Sequence, residues 1–446
     1  MNLQLFKVWK RVRSSFWFVP GVMVGLSMVL MAISVAVDEP VTAWLAANTP
    51  LTFDGGAEAA SAVLGVIAGS MITIAGVVFS MTLVALSLAS SQLGPRLLRT
   101  FMRDTSTQVV LGTFIATFVY CLLVLRTVRR VDEDAFVPNL SVSLGVFLAV
   151  ASVGVLIYFI HHVSVSIQAN EIAARIGKEL IEKVDDPFPE SIGQEGPGLA
   201  AVSRDVRFFQ AVEHDAQAVV ADGDGYLQKI DGDALMALAS AKGLVIRLKR
   251  KPGSYIVADC PLVLISPASR VTDQLAKQVQ SLFVTGSQRT SDQDIEFTVD
   301  QLVEMAVRAL SPGLNDPFTA IACVDFLGSA LCRLAARDMP SSFRYDHEKQ
   351  LRLIARADTF PGIVDAAFNQ IRQYGRSSVA VTIRLLETIA VIAEFAFRPD
   401  DRASLLRHAE MIARGAREEL PEAEDRRAVE DLWQAIKRLC AEPRVA

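Results

Sequence analysis

The sequence predicts an α-helical membrane protein with four transmembrane helices plus an α+β cytoplasmic region, in which a small β-rich, barrel-like module is followed by a helical bundle. Uncharged apolar runs of 21 residues or more recur before about residue 165, and such runs are typical of membrane-spanning helices. Beyond that point, short β-rich runs separated by turn residues give way to segments with helical periodicity. The mean hydropathy of +0.34 therefore averages two different halves.

The first transmembrane helix is predicted at about 16–37. Phe16 to Val37 is a run of 22 residues without a charge, preceded by a segment that carries four Lys or Arg side chains. A basic start before an apolar run is also typical of a signal peptide. This run is long and is not followed by a clear small-x-small cleavage site, so we favour a retained transmembrane helix.

The second span, at about 60–90, lies in the longest apolar stretch of the chain. No charged residue occurs between Glu58 and Arg96. A helix of 37 residues is roughly 55 Å long, whereas the hydrocarbon core is about 30 Å thick. We expect this helix to be the centre of the membrane part and its last turns to extend past the bilayer toward the cytoplasm.

Two further spans, at about 105–125 and 140–160, complete a transmembrane domain over 1–165. The N-terminal segment and the 96–104 loop hold seven Lys or Arg residues, the first outer loop holds none and the second holds three. The positive-inside rule then predicts a multi-pass protein of the bacterial inner membrane with cytoplasmic N- and C-termini. The opposite orientation would place about 280 soluble residues in the periplasm without any disulfide pattern.

The rest of the chain is predicted to be cytoplasmic. A very apolar segment, Ser378–Phe397, contains Arg384 and Glu387, so we expect a buried bundle helix and not a fifth span. The predicted segments are a helical stalk (166–186), a Pro/Gly-rich linker (187–198), a β-rich module (199–268) and a helical cytoplasmic domain (269–446).

The β-rich module resembles a known small fold. The phrases GYLQKID and GSYIVADCPL are similar to the hammerhead type of β-barrel found in biotinyl and lipoyl carrier domains. The resemblance implies a barrel. It implies no cofactor, because Lys229 does not occupy a Met-Lys hairpin tip where the carriers place their modified lysine.

Composition excludes several classes of function. The net charge is −5 and no basic stretch alternates with aromatic side chains, which argues against a nucleic-acid partner. The five cysteines lack C-x-x-C spacing and predict neither disulfides nor a zinc site. We expect no metal, no cofactor and, because no nucleophile–base–acid set stands out, no enzymatic activity.

Small and hydroxyl side chains share one face of the second span. A carrier coupled to protons needs an ionisable residue at depth, and the spans lack one. A narrow pore lined by small and hydroxyl groups needs none. The alternative is a tight helix–helix seam. The candidate pore-lining residues are Gly69, Thr73, Gly76, Ser80, Ser87 and Ser91, and the candidate inner vestibule consists of Arg96, Arg99 and Arg103.

His161 and His162 lie at the inner end of the fourth span. Adjacent helical side chains point about 100° apart, so this pair cannot chelate one ion. The alternatives are an interfacial or interhelical hydrogen bond and a pH-sensing role, since histidine titrates near neutrality.

The densest polar motifs are GSQRTSDQDIEF (286–297) and RALSPGLNDPFTA (308–320). Their charged side chains can gather into a ligand site if the helix between them turns back. The alternative is turn chemistry, in which Asp292 and Asp316 cap helices and the arginines pair with them. The candidate residues are Arg289, Asp292, Asp294, Glu296, Arg308, Asn315, Asp316 and Thr319.

These two motifs, with QLGPRLLRTFMRD, FIHHVSVSIQ and GYLQKID, resemble a bacterial family of predicted membrane proteins, family twenty-two fifty-four among the domains of unknown function. The resemblance covers essentially the whole chain. It implies an inner-membrane protein of this architecture and brings no activity or site residue.

Three functional hypotheses follow. The first is a homo-oligomeric, channel-like conduit for ions or small solutes, because four spans are too few to surround a pore, with the cytoplasmic domain as gate. The second is a membrane-tethered sensor or scaffold whose cytoplasmic domain binds a small ligand or protein partner. The third and weakest is a membrane-bound enzyme.

Overall fold

The chain divides into two units, Met1–Glu171 and Ile172–Ala446. Both are mostly helical, and the β-sheets lie in the second. The computed structural model describes residues 16–38, 53, 55–93, 105–129, 136–166, 168–190, 192–195 and 214–442, with no description of the side chains at 89–93 and 166.

Long apolar helices build the first unit, because a helix satisfies its own backbone hydrogen bonds in a medium without water. Each is long and apolar enough to cross a membrane. By length and composition alone, Pro317–Ala335 in the second unit also qualifies, so the count of four spans stays a prediction. The helices are α1 (Phe18–Ala36), α2 (Ala57–Leu93), α3 (Thr105–Thr127) and α4 (Asn139–Ser166).

The centre of the first unit is α3 and not α2, contrary to the expectation from length. Helix α3 packs against α1, α2 and α4, and 56% of its apolar stretch is buried against 28% for α2. Its aromatic side chains Phe114 and Tyr120 are fully buried. Helix α2 contributes one narrow stripe to the core, which includes Leu64, Met71 and Val78. Apolar length measures compatibility with lipid, whereas position in the bundle depends on which side chains find partners.

A glycine permits one of the close approaches between helices in this bundle. A Cβ atom at Gly145 of α4 would lie 3.2 Å from Leu64 Cδ2 and 3.5 Å from Cys121 Sγ. Glycine at this position therefore lets α4 pack closely against both α2 and α3.

The predicted stalk forms a separate helix, α5 (Ala169–Asp185), since α4 ends at Ser166. Its apolar face is buried, with Ile172, Ile176 and Leu180 almost inaccessible. Arg337 of the helical region donates to the Val184 carbonyl. An apolar stripe of this width needs a packing partner, and α5 finds one inside the second unit.

Two sheets form the described β-structure of the second unit, and each includes strands from outside the predicted module. The strand order is β1-β8-β9-β4-β6-β2 in the six-stranded sheet and β5-β3-β7 in the three-stranded sheet. Among the described strands, β4 and β9 are the only pair that is parallel. The barrel-like form of the module stays a prediction. The strands are β1 (Gln194–Glu195), β2 (Gln217–Val220), β3 (Gly225–Ile230), β4 (Val245–Leu248), β5 (Tyr255–Ile256), β6 (Pro261–Ser266), β7 (Phe283–Gly286), β8 (Phe343–Tyr345) and β9 (Leu351–Ile354).

Part of the predicted linker belongs to the six-stranded sheet. Strand β1 pairs with β8, and the buried guanidinium of Arg344 donates to the carbonyls of Glu190 and Ile192. A charged side chain is rarely this buried unless its donors are satisfied. Here the backbone carbonyls of the incoming chain satisfy them.

Eight described helices complete the second unit. Several begin with side-chain caps: the carboxylate or hydroxyl oxygens of Asp231, Thr272, Asp294 and Asp316 accept backbone N–H groups. These caps satisfy donors that have no intrahelical partner. The helices are α6 (Gly232–Lys242), α7 (Asp273–Ser281), α8 (Ile295–Ala309), α9 (Pro317–Ala335), α10 (Phe360–Gly375), α11 (Val379–Phe395), α12 (Pro399–Glu419) and α13 (Ala423–Ala441).

Candidate functional site

The small and hydroxyl face of α2 is exposed in the first unit. Gly69, Thr73, Gly76, Ser80 and Ser87 are all accessible, and a Cβ atom added at Gly69 or Gly76 would meet nothing within 4 Å. This face is therefore not a seam with the described helices of the first unit. The side chain of Ser91, the remaining candidate, lies outside the described residues.

The exposed face begins one turn earlier than the sequence indicated. Gly65 is also open, with nothing within 4 Å of an added Cβ, and it forms a G-x-x-x-G pair with Gly69. The large side chain of Val66 beside it is 69% exposed. Small residues next to large ones leave a shallow groove along α2.

Several of the hydroxyl groups on α2 are hydrogen-bonded to the preceding turn of the helix. Thr73 Oγ1 donates to the Gly69 carbonyl at 2.8 Å, and Ser70 Oγ donates to the Val66 carbonyl at 2.8 Å. Since the hydroxyl protons of Thr73 and Ser70 have acceptors in the preceding turn, these two positions are compatible with lipid or a neighbouring helix. The free lone pairs also let the same oxygens contact water or a cation.

The predicted vestibule residues Arg96, Arg99 and Arg103 lie outside the described part of the chain. Their role stays a prediction from sequence.

The two histidines differ in environment. His161 is exposed, whereas the ring of His162 stacks on Tyr158, with centroids 5.6 Å apart and planes at 16°. Tyr158 Oη in turn donates to Ser106 Oγ at 3.2 Å. Among the described residues no three His, Cys, Asp or Glu side chains are grouped to hold a metal ion.

A buried polar cluster in the first unit was not predicted. Asp38 Oδ1 accepts the backbone N–H groups of Leu140 at 2.8 Å and Ser141 at 3.3 Å, which places a carboxylate at the N-terminus of α4. Beside it, the hydroxyls of Ser34 and Tyr120 lie 3.0 Å apart. About 100 residues separate Asp38 from its partners, so no local pattern could reveal the contact.

In the second unit, Arg289 is the centre of the first polar motif. Its Nε and Nη2 atoms donate to the two oxygens of Asp294 at 2.8 and 3.0 Å, and Nη1 donates to Asp300 Oδ2 at 2.7 Å. Burial alone would lower the pKa of Arg289, but the two carboxylates raise it. Asp294 also caps α8 by accepting the Phe297 N–H. The cap is therefore Asp294 and not Asp292.

A loop from the β-rich region closes over this ion pair. Gly253 has a φ of +87°, and a Cβ atom there would lie 2.1 Å from Asp294 Oδ2. Nearby, Lys251 Nζ contacts Glu296 Oε1 at 2.8 Å and Asp358 Oδ1 at 2.5 Å. Burial would lower the pKa of Lys251, but these carboxylates raise it. Arg289, Asp294 and Glu296 of this motif are therefore all engaged in ion pairs.

The second polar motif does not join the first. Asp316 caps α9 by accepting the Thr319 N–H at 3.1 Å and the Thr319 hydroxyl at 2.6 Å, while Arg308 pairs with Glu304 at 3.5 Å. Helix α8 lies between the two motifs and is roughly 22 Å long. The predicted single cluster is therefore two separate arrangements at opposite ends of α8.

The loop before α9 exposes apolar side chains on both sides of a residue with a positive φ angle. Asn315 adopts a φ of +46°, and the apolar side chains on either side of it are accessible, with Leu314 44% and Phe318 79% exposed. Apolar exposure of this degree next to a hydrogen-bonded cap is compatible with a contact surface.

Comparison with known proteins agrees with the resemblance noted from the motifs. A family model of predicted membrane proteins (DUF2254) matches residues 13–391. Uncharacterized proteins of Mycobacterium bovis and Mycobacterium tuberculosis are each 34% identical over 385 residues, which is 85% of this chain and 72% of the relative. No solved structure matches.

Proposed function

The chain belongs to the DUF2254 family of predicted membrane proteins, and from that premise we propose that it forms a homo-oligomeric, channel-like conduit for ions or small solutes. The observation that carries the proposal is the exposed small-residue face of α2. The proposal includes a position in the bacterial inner membrane with cytoplasmic N- and C-termini, which the apolar helices and the loop charges support.

Self-association is the first step of the argument. Helices in lipid associate by close packing, because apolar exclusion from water does not act there, and small residues permit that packing. The open positions Gly65, Gly69 and Gly76 leave the α2 backbone accessible. A second copy of α2 fits this groove better than lipid chains do, since its backbone can approach along the whole stripe.

Conduction is the second step. At about 100° per residue, Thr73 and Ser80 lie roughly 50° further round α2 than the mean direction of Gly65, Gly69 and Gly76. Copies of α2 that meet at the glycines would therefore turn the Thr73 and Ser80 hydroxyls toward a central pore, with Ser87 at the edge of the contact. No Asp, Glu, Lys or Arg occurs between Glu58 and Arg96, which favours passive flow over proton coupling. Apolar rings between the hydroxyls can close such a pore by dewetting, and the cytoplasmic unit would control it.

The test measures the mass of the protein in nanodiscs, which gives the number of copies in each assembly. The full wild-type chain is compared with the variants Gly69→Leu and Gly76→Leu. Gly154→Leu on α4 is a matched control, because Gly154 is likewise open within 4 Å but lies outside the stripe. We expect several copies for wild type and control, and monomers for the two α2 variants.

A flux assay in liposomes then separates oligomer from conduit. Wild type and Gly154→Leu should pass ions or small solutes, and the α2 variants should not. A monomeric wild type, or an oligomer that passes nothing at any pH or membrane tension, would refute the conduit.

A second candidate function is a membrane-tethered sensor or scaffold. The exposure of Leu314 and Phe318 beside the α9 cap favours it, because a protein partner could cover this surface. Capture of one specific partner by the full chain, lost in Phe318→Ser but kept in an exposed control such as Tyr374→Ser, would support it.

A further inference from the structure

A cavity of about 290 Å³ lies between α10, α11 and α12 in the second unit. Arginines dominate its charged lining: Arg372 and Arg376 lie at the end of α10, and Arg414 on α12. Thr382 adds a hydroxyl, and Glu418 is the one carboxylate in the lining. The cavity therefore has more positive than negative charge.

The three arginines are not equally paired. Arg376 Nη2 contacts Glu419 Oε1 at 2.9 Å, so its charge is compensated from outside the cavity. Arg372 contacts only an amide, with Nη2 donating to Asn369 Oδ1 at 3.4 Å, and its Nε is buried without a partner in the described structure. Arg407, which precedes Arg414 on α12 and is not part of the lining, forms an ion pair with Asp365 in which Nη2 and Oδ1 are 2.6 Å apart.

The surroundings of Arg372 disfavour its positive charge. Burial lowers the pKa of Arg372, and the positive charges of Arg414 and Arg407 lower it further. Like charges around a partly desolvated cavity oppose folding. Such an arrangement is more typical of a binding site than of a structural ion pair.

We propose that this cavity binds a phosphoryl anion between Arg372 and Arg414. The planar guanidinium fork matches phosphate oxygens in bidentate fashion, and Arg372 Nε supplies a donor that the fold leaves unused. The volume is at the lower end of the usual range for ligand pockets, about 300–1,000 Å³. The ligand is therefore inorganic phosphate or the phosphate group of a small monoester.

The experiment titrates the full chain, in nanodiscs of neutral lipid, with inorganic phosphate in a calorimeter at constant ionic strength. Arg372→Gln and Arg414→Gln should each weaken binding about tenfold or more, because each removes charged hydrogen bonds. Arg372→Lys should weaken it as well, since the fork is lost. Arg438→Gln, on an exposed position of α13, is the matched control and should change the dissociation constant less than about twofold.

Thermal unfolding without phosphate separates binding from a structural role. Arg372→Gln relieves like-charge repulsion, so its melting temperature should equal or exceed that of the wild type. A wild type that binds no phosphate, equal weakening in the Arg438→Gln control, or a lower melting temperature for Arg372→Gln overturns the proposal.

A second set of titrations distinguishes a soluble phosphoryl ligand from a lipid headgroup. Glycerol 3-phosphate should displace phosphate if the ligand is soluble, and phosphatidic acid in the nanodisc should displace it if the ligand is a lipid headgroup. Displacement by either supports the site and identifies the source of the phosphoryl group, and displacement by neither, with phosphate still bound, supports inorganic phosphate itself as the ligand.

Discussion

Arg289 donates to two carboxylates, and both partners depend on it. Asp294 is buried and serves both as the acceptor of a bidentate pair and as the cap of α8. Asp294→Ala removes the cap and leaves a partly buried guanidinium with Asp300 alone. We expect a loss of about 3 kcal/mol in the free energy of unfolding, the lower end for breaking a buried pair.

The measurement for Asp294 is denaturant unfolding of the full chain, followed by a signal from the second unit. Asp292→Ala is the control, because this exposed carboxylate of the same loop is not the cap. We expect it to change stability by less than about 0.5 kcal/mol. Equal losses in the two variants would contradict the assignment.

His408 makes the second unit sensitive to mild acid. Its ring is fully buried, with Nε2 2.7 Å from Asp365 Oδ1. Burial lowers the pKa of His408, Arg407 and Arg372 lower it further, and Asp365 opposes them. The unfolded chain, with a histidine pKa near 6.5, then binds a proton that the folded chain does not. Stability is therefore fully present above about pH 6.5 and decreases below it.

We expect the melting temperature of the wild type to fall between pH 7.5 and 5.5, and His408→Gln to show a smaller fall. The pKa of Asp365 is lowered, with the His408 hydrogen bond and the Arg407 charge outweighing burial, so its contribution is lost only in much stronger acid. The same fall in wild type and His408→Gln would exclude His408 as the cause.

Which residues could be predicted depends on how local their partners are. The Asp316 cap is visible because Asp-Pro opens a helix within three residues. The choice of Asp294 over Asp292 depends on Arg289 and on Gly253, which come from different elements. The Asp38 contact with α4 has no signal in the neighbouring sequence.

At the scale of elements, apolar runs predict helices well but not their neighbours. The four described helices of the first unit lie on the uncharged runs, to within a turn at each end. The central position of α3 does not follow from these runs, because it depends on side-chain fit across several helices. The six-stranded sheet could not be predicted for a similar reason: β8 and β9 are short strands that pair with β1 and β4 from distant parts of the chain.

The prediction at the scale of elements concerns the position of helix α9 relative to the bilayer. It is apolar enough to cross a membrane, but Asp325 on it pairs bidentately with Arg384 of α11 at 2.6 and 3.0 Å, and most of its apolar stretch is buried in the second unit. One side of α9 exposes a charged pair, and the opposite side is buried against protein. Such a helix is poorly suited to lipid. We expect α9 to lie outside the bilayer.

Cysteine labelling in membrane vesicles tests this expectation. In a cysteine-free background, Leu314→Cys before α9 and Asp338→Cys after it should both react with an impermeant thiol reagent from the same side. Glu133→Cys, in the predicted second outer loop, is the control for the opposite side. Labelling of 314 and 338 from opposite sides would make α9 a fifth span.

At the scale of the whole molecule, charge is distributed more unevenly than the net value of −5 indicates. The uncharged stretch before Arg96 ends at three arginines, Arg96, Arg99 and Arg103. If copies of α2 surround a pore, every copy adds three positive charges at its inner mouth. A mouth of one sign concentrates counter-ions, so the proposed conduit should prefer anions.

The reversal potential of the reconstituted full chain in a KCl gradient measures this preference. Wild type should show the sign expected for chloride permeability, and the triple variant Arg96→Gln, Arg99→Gln, Arg103→Gln should lose most of it. Arg427→Gln, at a well-exposed arginine on α13, is the control for the loss of an arginine outside the 96–103 segment and should leave the potential unchanged. The preference should also weaken as salt rises from 0.1 to 1 M, because the screening length falls from about 10 Å to about 3 Å. If the triple variant keeps the wild-type reversal potential at low salt, the basic segment does not line the conduction path, and selectivity must then arise along the α2 face itself.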